Sequence, residues 1–421
     1  MASQLNTNEA LASRILLNYE ANLAFAMHSN RDYEQDAVRW VSDTAAQVDI
    51  RMPNNYEVND SWDITSVSRD ITENTITLDV DQIRNVPFDL STFEDTYEID
   101  IQKEKRTVIP ASSNLALKVD AYIAQQLFLE SYFHTGTAGA AIASWTSISN
   151  CTGLMNDLAF PDGGQRVGVL AENVYATLGG FTDLQNSNDV GMTQDITRRW
   201  KIGSLANIDL FHNHAVVKHI AGVGLDTATP SGGVVGAGTV KTAVSSGNTI
   251  IIENLGTSTT GVFLKGDKLT IGGRYALHPR TLENSNRPFQ VTVLDTSVDS
   301  SAGGEATITV APAIITTGPY ANIDAQIGIG DTVTLATANT GLASAVKVPY
   351  TANMFWHPTG LIFAAPRLKN LFPDDTFATD DGISMRMSTD GDVLKSIRTT
   401  RIDTFFGVKT DPKRVLCLLG A

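Results

Sequence analysis

The sequence predicts an α+β protein into which a small all-β barrel domain is inserted. Helical periodicity is confined to a few segments, and most other apolar runs alternate with the two-residue period of strands. Between residues 225 and 344, charged residues fall to about an eighth of the total, against about a fifth elsewhere. An ordinary mixed pattern resumes at Val346. The β-rich stretch is therefore an insertion and not a terminal domain.

Length and composition limit the possible classes of protein. The 421 residues amount to roughly two to three typical domains, so we expect more than one folded part. Acidic residues number 46 against 31 basic ones, which gives a net charge of -15. Nucleic-acid affinity rests on cations, so this balance argues against a protein whose main task is to bind phosphates. No apolar run reaches the roughly 18 residues of a membrane span, and we expect a soluble protein.

The first part of the chain predicts a helix on an N-terminal arm, followed by a β ribbon. Leucine, isoleucine and tyrosine recur at helical spacing over residues 8–25. From Ala46 the period changes to two, and residues 75–81 alternate without a break. We expect the run around Trp62 and Ile64 to pair with 75–81. A lone ribbon is marginal in water, so its apolar side needs cover from its own core or from another subunit.

A long helix follows the ribbon. Pro110 and the cluster 112–114 form a start signal, and apolar residues then fill more than half of the helix circumference. We expect this helix to continue to Gly136 and to pack on more than one side. A second helical pattern covers residues 170–178.

The inserted stretch contains several short strand patterns, each bounded by glycine or polar turn residues. A small barrel or sandwich is typical of such spacing. After the insertion we expect a turn at 389–392 and a strand at 396–406. The strand patterns of the insertion are 249–252, 268–271, 289–294 and 306–310, and those after it include 354–356, 361–364 and 415–419.

The chain offers no convincing catalytic, cofactor or metal site, and we predict that it is not an enzyme. The stretch 261–268 resembles a phosphate loop, but Asp267 stands where the lysine belongs and would repel phosphate. His212, His214 and His219 are candidate Zn²⁺ ligands, yet nothing nearby completes a tetrahedral set. Asp79 and Asp81 share a strand face, which a solvated face explains without acid catalysis.

The order of these parts resembles a known family. The chain is similar to tailed-bacteriophage major capsid proteins of the Hong Kong 97 type, and more narrowly to short-tailed phage coat proteins of the P22 type, which carry an inserted β-barrel. The similar segments occur in the same order: SWDIT at 61–65, LALKV at 115–119, KGDKL at 265–269, YANI at 320–323, MFW at 354–356 and FGV at 406–408.

This resemblance implies a domain organisation. It implies an N-terminal arm and an extended loop that lie across neighbouring subunits, and a long helix that is the spine of the peripheral domain. The implied bounds are 1–45 for the arm, 46–85 for the extended loop, 86–135 for the peripheral domain with its spine helix, 136–223 and 346–421 for the two parts of the axial/peripheral domain, and 224–345 for the inserted barrel.

The resemblance also implies a function. The chain would be a major capsid protein, a structural protein that self-assembles as hexamers and pentamers into an icosahedral shell enclosing double-stranded DNA without sequence-specific binding. Its partners would be itself, a scaffolding protein, a portal and decoration proteins. Its place would be the virion, after assembly in the host cytoplasm. We expect the inter-subunit contacts to come from the ribbon residues Trp62, Ile64, Ile76, Leu78 and Val80.

A different class of function fits the β-rich insertion as well. The chain would then be a surface-binding protein or adhesin that recognises carbohydrate with its β module. That hypothesis predicts clustered exposed aromatic side chains in the module, where the available ones are Phe263, Tyr275, Phe289 and Tyr320.

Overall fold

A computed structural model shows two compact units, each drawn from several stretches of chain. The ribbon unit comes from Met1–Arg51, Thr75–Gln126 and Leu361–Thr410, and the barrel unit from Met52–Asn74, Leu127–Gly360 and Asp411–Ala421. The structure describes residues 6–33, 46–54, 56, 62–63, 74–91, 109–142, 144–161, 166–179, 202–223, 238–337, 348–369, 371, 375–380, 383–392 and 397–421.

The described residues form mostly strands, with a small number of helices. The helices are α1 (Asn6–Ala21), α2 (Ile109–Glu130), α3 (Thr146–Asp157) and α4 (Glu172–Gly179). The strands are β1 (Ala46–Met52), β2 (Asn74–Ser91), β3 (Phe133–Gly136), β4 (Arg166–Leu170), β5 (Ser204–Leu205), β6 (Ile208–His212), β7 (Val217–His219), β8 (Gly238–Val240), β9 (Ser246–Glu253), β10 (Phe263–Leu264), β11 (Lys268–Leu277), β12 (Asn284–Val293), β13 (Ser297–Val298), β14 (Ala306–Ile315), β15 (Thr332–Leu335), β16 (Tyr350–Trp356), β17 (Leu361–Ala364), β18 (Thr376–Asp380), β19 (Ile383–Asp392), β20 (Ile397–Thr410) and β21 (Val415–Gly420).

The ribbon unit is built on one antiparallel sheet in the order β1-β2-β20-β19-β18, and β17 also pairs with β20. The helical stripe of α1 is buried in this unit: Ile15, Leu16 and Tyr19 have 4% or less of their surface exposed. The apolar stripe of α1 is covered by its own chain, and Leu17, on the opposite face, is 61% exposed. An arm that lies across neighbouring subunits stays a prediction.

A second sheet, in the barrel unit, has the order β3-β21-β16-β4-β6-β5, and β7 also pairs with β16. Every residue of β4, β16 and β21 is buried. The strand pattern at 415–419 is confirmed as β21. Both faces of β21 are buried, and its neighbours in the sheet are β3 and β16. We call this sheet, with the end of α2, the host of the barrel.

The insertion forms a closed barrel in the order β11-β12-β14-β9-β8-β15. Its core is filled by inward side chains such as Ile252, Leu269, Ile271, Phe289 and Val291, all fully buried. The four strand patterns read from the sequence each lie on a strand of this barrel. The barrel prediction is therefore confirmed.

Two sequence predictions were wrong, one for the end of the long helix and one for the turn at 389–392. α2 ends at Glu130 instead of Gly136, because residues 133–136 pair with β21 as a parallel strand. The turn expected at 389–392 lies within β19, where these residues pair with residues 397–400 of β20. Helix α3 was not predicted from the sequence.

Among the described strands, the neighbours of β2 in the sheet are β1 and β20. The run around Trp62 that was expected to pair with 75–81 lies mostly outside the described residues. Trp62 itself lies in a bend, and Ile64 is outside the described residues.

Candidate assembly interface

One face of β2 is covered by its own subunit. Leu78 and Val80 are fully buried in a cluster of the ribbon unit that also contains Val48, Ile50 and Ile362. An apolar side chain that its own chain has removed from water has no further surface to bury against a neighbour. The prediction that Leu78 and Val80 contact other subunits is therefore corrected: they belong to the subunit core.

The opposite face of β2 is solvated. Asp79 and Asp81 are exposed on it, as the alternation predicts, and Thr77 donates a 2.8 Å hydrogen bond to Asp49 of β1. Ile83, which the sequence analysis overlooked, lies on the same face between Asp81 and Asn85 and is 48% exposed. An isoleucine in an otherwise polar alternation was the available signal for it.

Trp62 is an exposed side chain in the described part of the link between β1 and β2. Its surface is fully exposed, at 104% of the reference value, and Tyr56 in the same link is 65% exposed. A tryptophan buries about 200 Å² when covered, which at roughly 25 cal/mol per Å² is about 5 kcal/mol. Large exposed aromatic side chains of this kind are common anchors of protein interfaces.

The candidate metal ligands do not converge. His212 Nδ1 and His214 Nε2 lie 3.1 and 3.5 Å from Glu172 Oε1, at the start of α4. His219 Nε2 instead lies 2.8 Å from Asp267 Oδ1. Within the described part of the chain, no three His, Cys, Asp or Glu side chains are grouped so that they could hold a metal ion.

The stretch that resembles a phosphate loop is closed to phosphate. Asp267 and Lys268 are both fully buried. The Asp267 carboxylate accepts a 2.8 Å hydrogen bond from the backbone N–H of Leu264, within its own turn. The stretch is therefore a structural turn before β11.

Comparison with known proteins identifies the family. The family model described as "P22 coat protein - gene protein 5" matches residues 1–415. The chain belongs to the P22 coat protein family. It is a major capsid protein, and its place is the virion.

Solved capsid structures share features with this coat protein at low identity. The structure of Mycobacterium phage Che8 matches with 12% identity over 94% of this chain and 90% of that chain, at a TM-score of 0.48. The capsid of Cyanophage P-SCSP1u matches with 9% identity over 90% and 84%, at 0.43. The CUS-3 coat protein I-domain matches with 19% identity over 25% of this chain and 97% of that chain, at 0.18. No curated protein matches the chain.

Membership of the P22 coat protein family confirms the resemblance found in the sequence. The α+β architecture with its closed barrel is the fold class that the sequence predicted. The sequence segments that carried the resemblance are short, but the family model extends over nearly the whole coat protein.

The adhesin hypothesis loses its main requirement in this coat protein. Phe263 and Phe289 are fully buried in the barrel core, so they are not a carbohydrate platform. Tyr320 is half-buried, and the ammonium group of Lys413 lies 5.1 Å from its ring centre. Of the four aromatic side chains that the hypothesis needed, Tyr275 is the exposed one, at 38%.

None of the described helices is long and apolar enough to span a membrane.

Proposed function

We propose that this coat protein builds an icosahedral shell around double-stranded DNA through the link between β1 and β2, with Trp62 as the anchor that a neighbouring subunit covers. The family match over residues 1–415 supports the shell. The full exposure of Trp62 is the single observation that supports the anchor. We keep Ile76, which is half-buried, as a peripheral contact, and Ile64 as a contact outside the described residues.

The domain bounds inferred from the resemblance remain part of this proposal. So do the hexamers and pentamers, the scaffolding protein, the portal, the decoration proteins and assembly in the host cytoplasm. We also infer that the protein acts without catalysis or a cofactor. The acidic balance of the chain supports a wall that does not hold the DNA it encloses, because like charges repel.

The experiment compares assembly of the purified full-length protein with that of Trp62→Ala, by sedimentation and electron microscopy over a range of concentrations. We expect shells, rings or tubes from the wild-type protein. Loss of about 2 kcal/mol per contact would raise the concentration needed for assembly more than tenfold in the variant.

Trp145→Ala is the matched control. Trp145 is 42% exposed and lies just before α3, outside the link between β1 and β2. We expect this variant to assemble at the wild-type concentration. Normal assembly of Trp62→Ala would remove Trp62 from the interface, whereas a wild-type protein that stays monomeric at every concentration would contradict the shell itself.

A further inference from the structure

Two consecutive charged residues are buried where the inserted barrel meets its host. Asp267 and Lys268 stand at the start of β11, and both are fully excluded from solvent. Buried charges are costly unless hydrogen bonds replace the lost water. The partners of these two side chains therefore indicate what they are for.

Lys268 binds the end of the spine helix. Its Nζ donates to the backbone carbonyl of Phe128 at 2.7 Å, to the hydroxyl of Ser131 at 3.1 Å and to Thr292 Oγ1 at 3.0 Å, and it also contacts the carbonyl of Ser131. The last carbonyls of a helix have no partner within the helix, and a cation is favourable there. Lys268 thus caps α2 from a strand about 140 residues later in the chain.

Asp267 binds the chain that leads into the insertion. Its carboxylate accepts hydrogen bonds from the backbone N–H of Gly222 at 3.1 Å and from that of Leu264, and it pairs with His219. Carboxylate oxygens accept and an ammonium group donates. Asp267 therefore holds the chain at residues 219–222 through its acceptor oxygens. Lys268 holds the end of α2 through its donor N–H groups.

The backbones at this junction are in close contact. A Cβ atom at Gly222 would lie 2.3 Å from the carbonyl oxygen of Val262. One at Gly266, where φ is +94°, would lie 2.7 Å from the ring of Phe128. The backbones are packed too closely for a side chain at either glycine. Such packing is typical of a fixed contact and not of a flexible linker.

A third tie lies beside the first two. The side-chain amide of Gln290 on β12 accepts from the backbone N–H of His134 at 2.9 Å and donates to its carbonyl at 3.0 Å. In this way one barrel side chain extends the hydrogen bonding of β3, which is a host strand.

We propose that Asp267 and Lys268 form a buried joint that fixes the inserted barrel in one orientation on its host. The barrel closes through the backbone hydrogen bonds of its own strands around an apolar core that contains neither of these two charges. Burial lowers the pKa of Lys268 to about 7, while Cys417 and Asp267 act in the opposite direction. Burial of the lysine ammonium group is costly, and its hydrogen bonds to the host are the interactions that offset this cost.

Hydrogen exchange of the full-length protein tests the joint. The reporters are the backbone N–H of Ser131, which bonds the carbonyl of Leu127 in the last turn of α2, and that of Gly222, which bonds Asp267. We expect about tenfold to a hundredfold faster exchange at Ser131 in Lys268→Met and at Gly222 in Asp267→Asn. Exchange in β9 and β14, inside the barrel, should stay at the wild-type rate.

Lys265→Met is the matched control, because Lys265 lies in the same turn but is exposed. It should leave all rates unchanged. Wild-type exchange at both reporters in both joint variants would overturn the proposal. An equal acceleration of the barrel strands would overturn it too, since the two residues would then serve the fold of the barrel and not its attachment.

Discussion

The carboxylate of Asp120 on α2 accepts a 2.6 Å hydrogen bond from the backbone N–H of Ala24, just beyond the end of α1. The N–H groups of Phe25 and Ala26 also donate to this carboxylate at 3.4 Å, and Asp120 is fully buried. One side chain of α2 thus satisfies three consecutive backbone donors that follow α1. Buried N–H groups without a partner are expensive, so this carboxylate holds the arm against its own subunit.

Asp120→Asn tests this attachment. The substitution keeps the shape but replaces one acceptor oxygen by an NH₂ group that faces the same donors. We expect the free energy of unfolding to fall by about 1–3 kcal/mol in urea titration, with faster proteolysis of the arm. Asp81→Asn, at an exposed position of β2, should change neither. Unaltered stability and proteolysis of the Asp120 variant would contradict the attachment.

Leu78→Ala tests the reassignment of the ribbon's apolar face. Leu78 is fully buried in the ribbon unit, so we expect the free energy of unfolding to fall by about 2–5 kcal/mol through lost burial and a cavity. Trp62→Ala should change that free energy by less than about 0.5 kcal/mol, because an exposed side chain gains little from folding. A Leu78 variant of wild-type stability that fails to assemble would return Leu78 to the interface.

His134 predicts an acid-sensitive component of stability. Burial, and then the charge of Lys268, lower the pKa of His134 from 6.5 to about 3. Between pH 3 and 6.5 the unfolded chain therefore binds a proton that the folded chain does not, and stability rises with pH over this window. We expect His134→Phe to have a flatter dependence of unfolding free energy on pH between 4 and 6.5.

His214→Gln is the control for the acid effect, since the side chain of His214 is 78% exposed. It should keep the wild-type slope. An unchanged slope in His134→Phe would show that another group carries the acid sensitivity.

Patterns with a strong local cause were predicted well. β1 begins at Ala46, as the change of period indicated, and the barrel strands fall on the alternating runs. Helix α2 begins at Ile109, beside Pro110, because proline suits the first turn of a helix. These features depend on residues close together in sequence.

Features with a distant cause were missed. The end of α2 depends on β21, which pairs with residues 133–136, and on the Lys268 ammonium group, which caps the helix. A Cβ atom at Gly136, where φ is +83°, would lie 2.5 Å from the carbonyl of Leu419. That glycine marks a contact between strands, and the sequence analysis took it for a helix end.

The candidate interface likewise has one part that the sequence predicted and one part that depends on distant residues. The alternation of β2 predicted which residues share a face, and the order of short segments indicated the family that the family model then identified. Whether an apolar face meets its own core or a neighbour depends on what packs over it. Leu78 is buried in one cluster with Val48, Ile50 and Ile362, whereas Trp62 is fully exposed.

By itself, the sequence determined the fold class and the inserted barrel, because local periodicity and charge composition depend on neighbouring residues, and the order of its short segments showed the resemblance to a capsid protein family. Only the tertiary structure decided which apolar residues are left for a partner and where two buried charges join the barrel to its host. Burial and hydrogen bonding at those places are made by residues far apart in the sequence, such as Lys268 and Phe128, which are 140 positions apart, and no local pattern contains them.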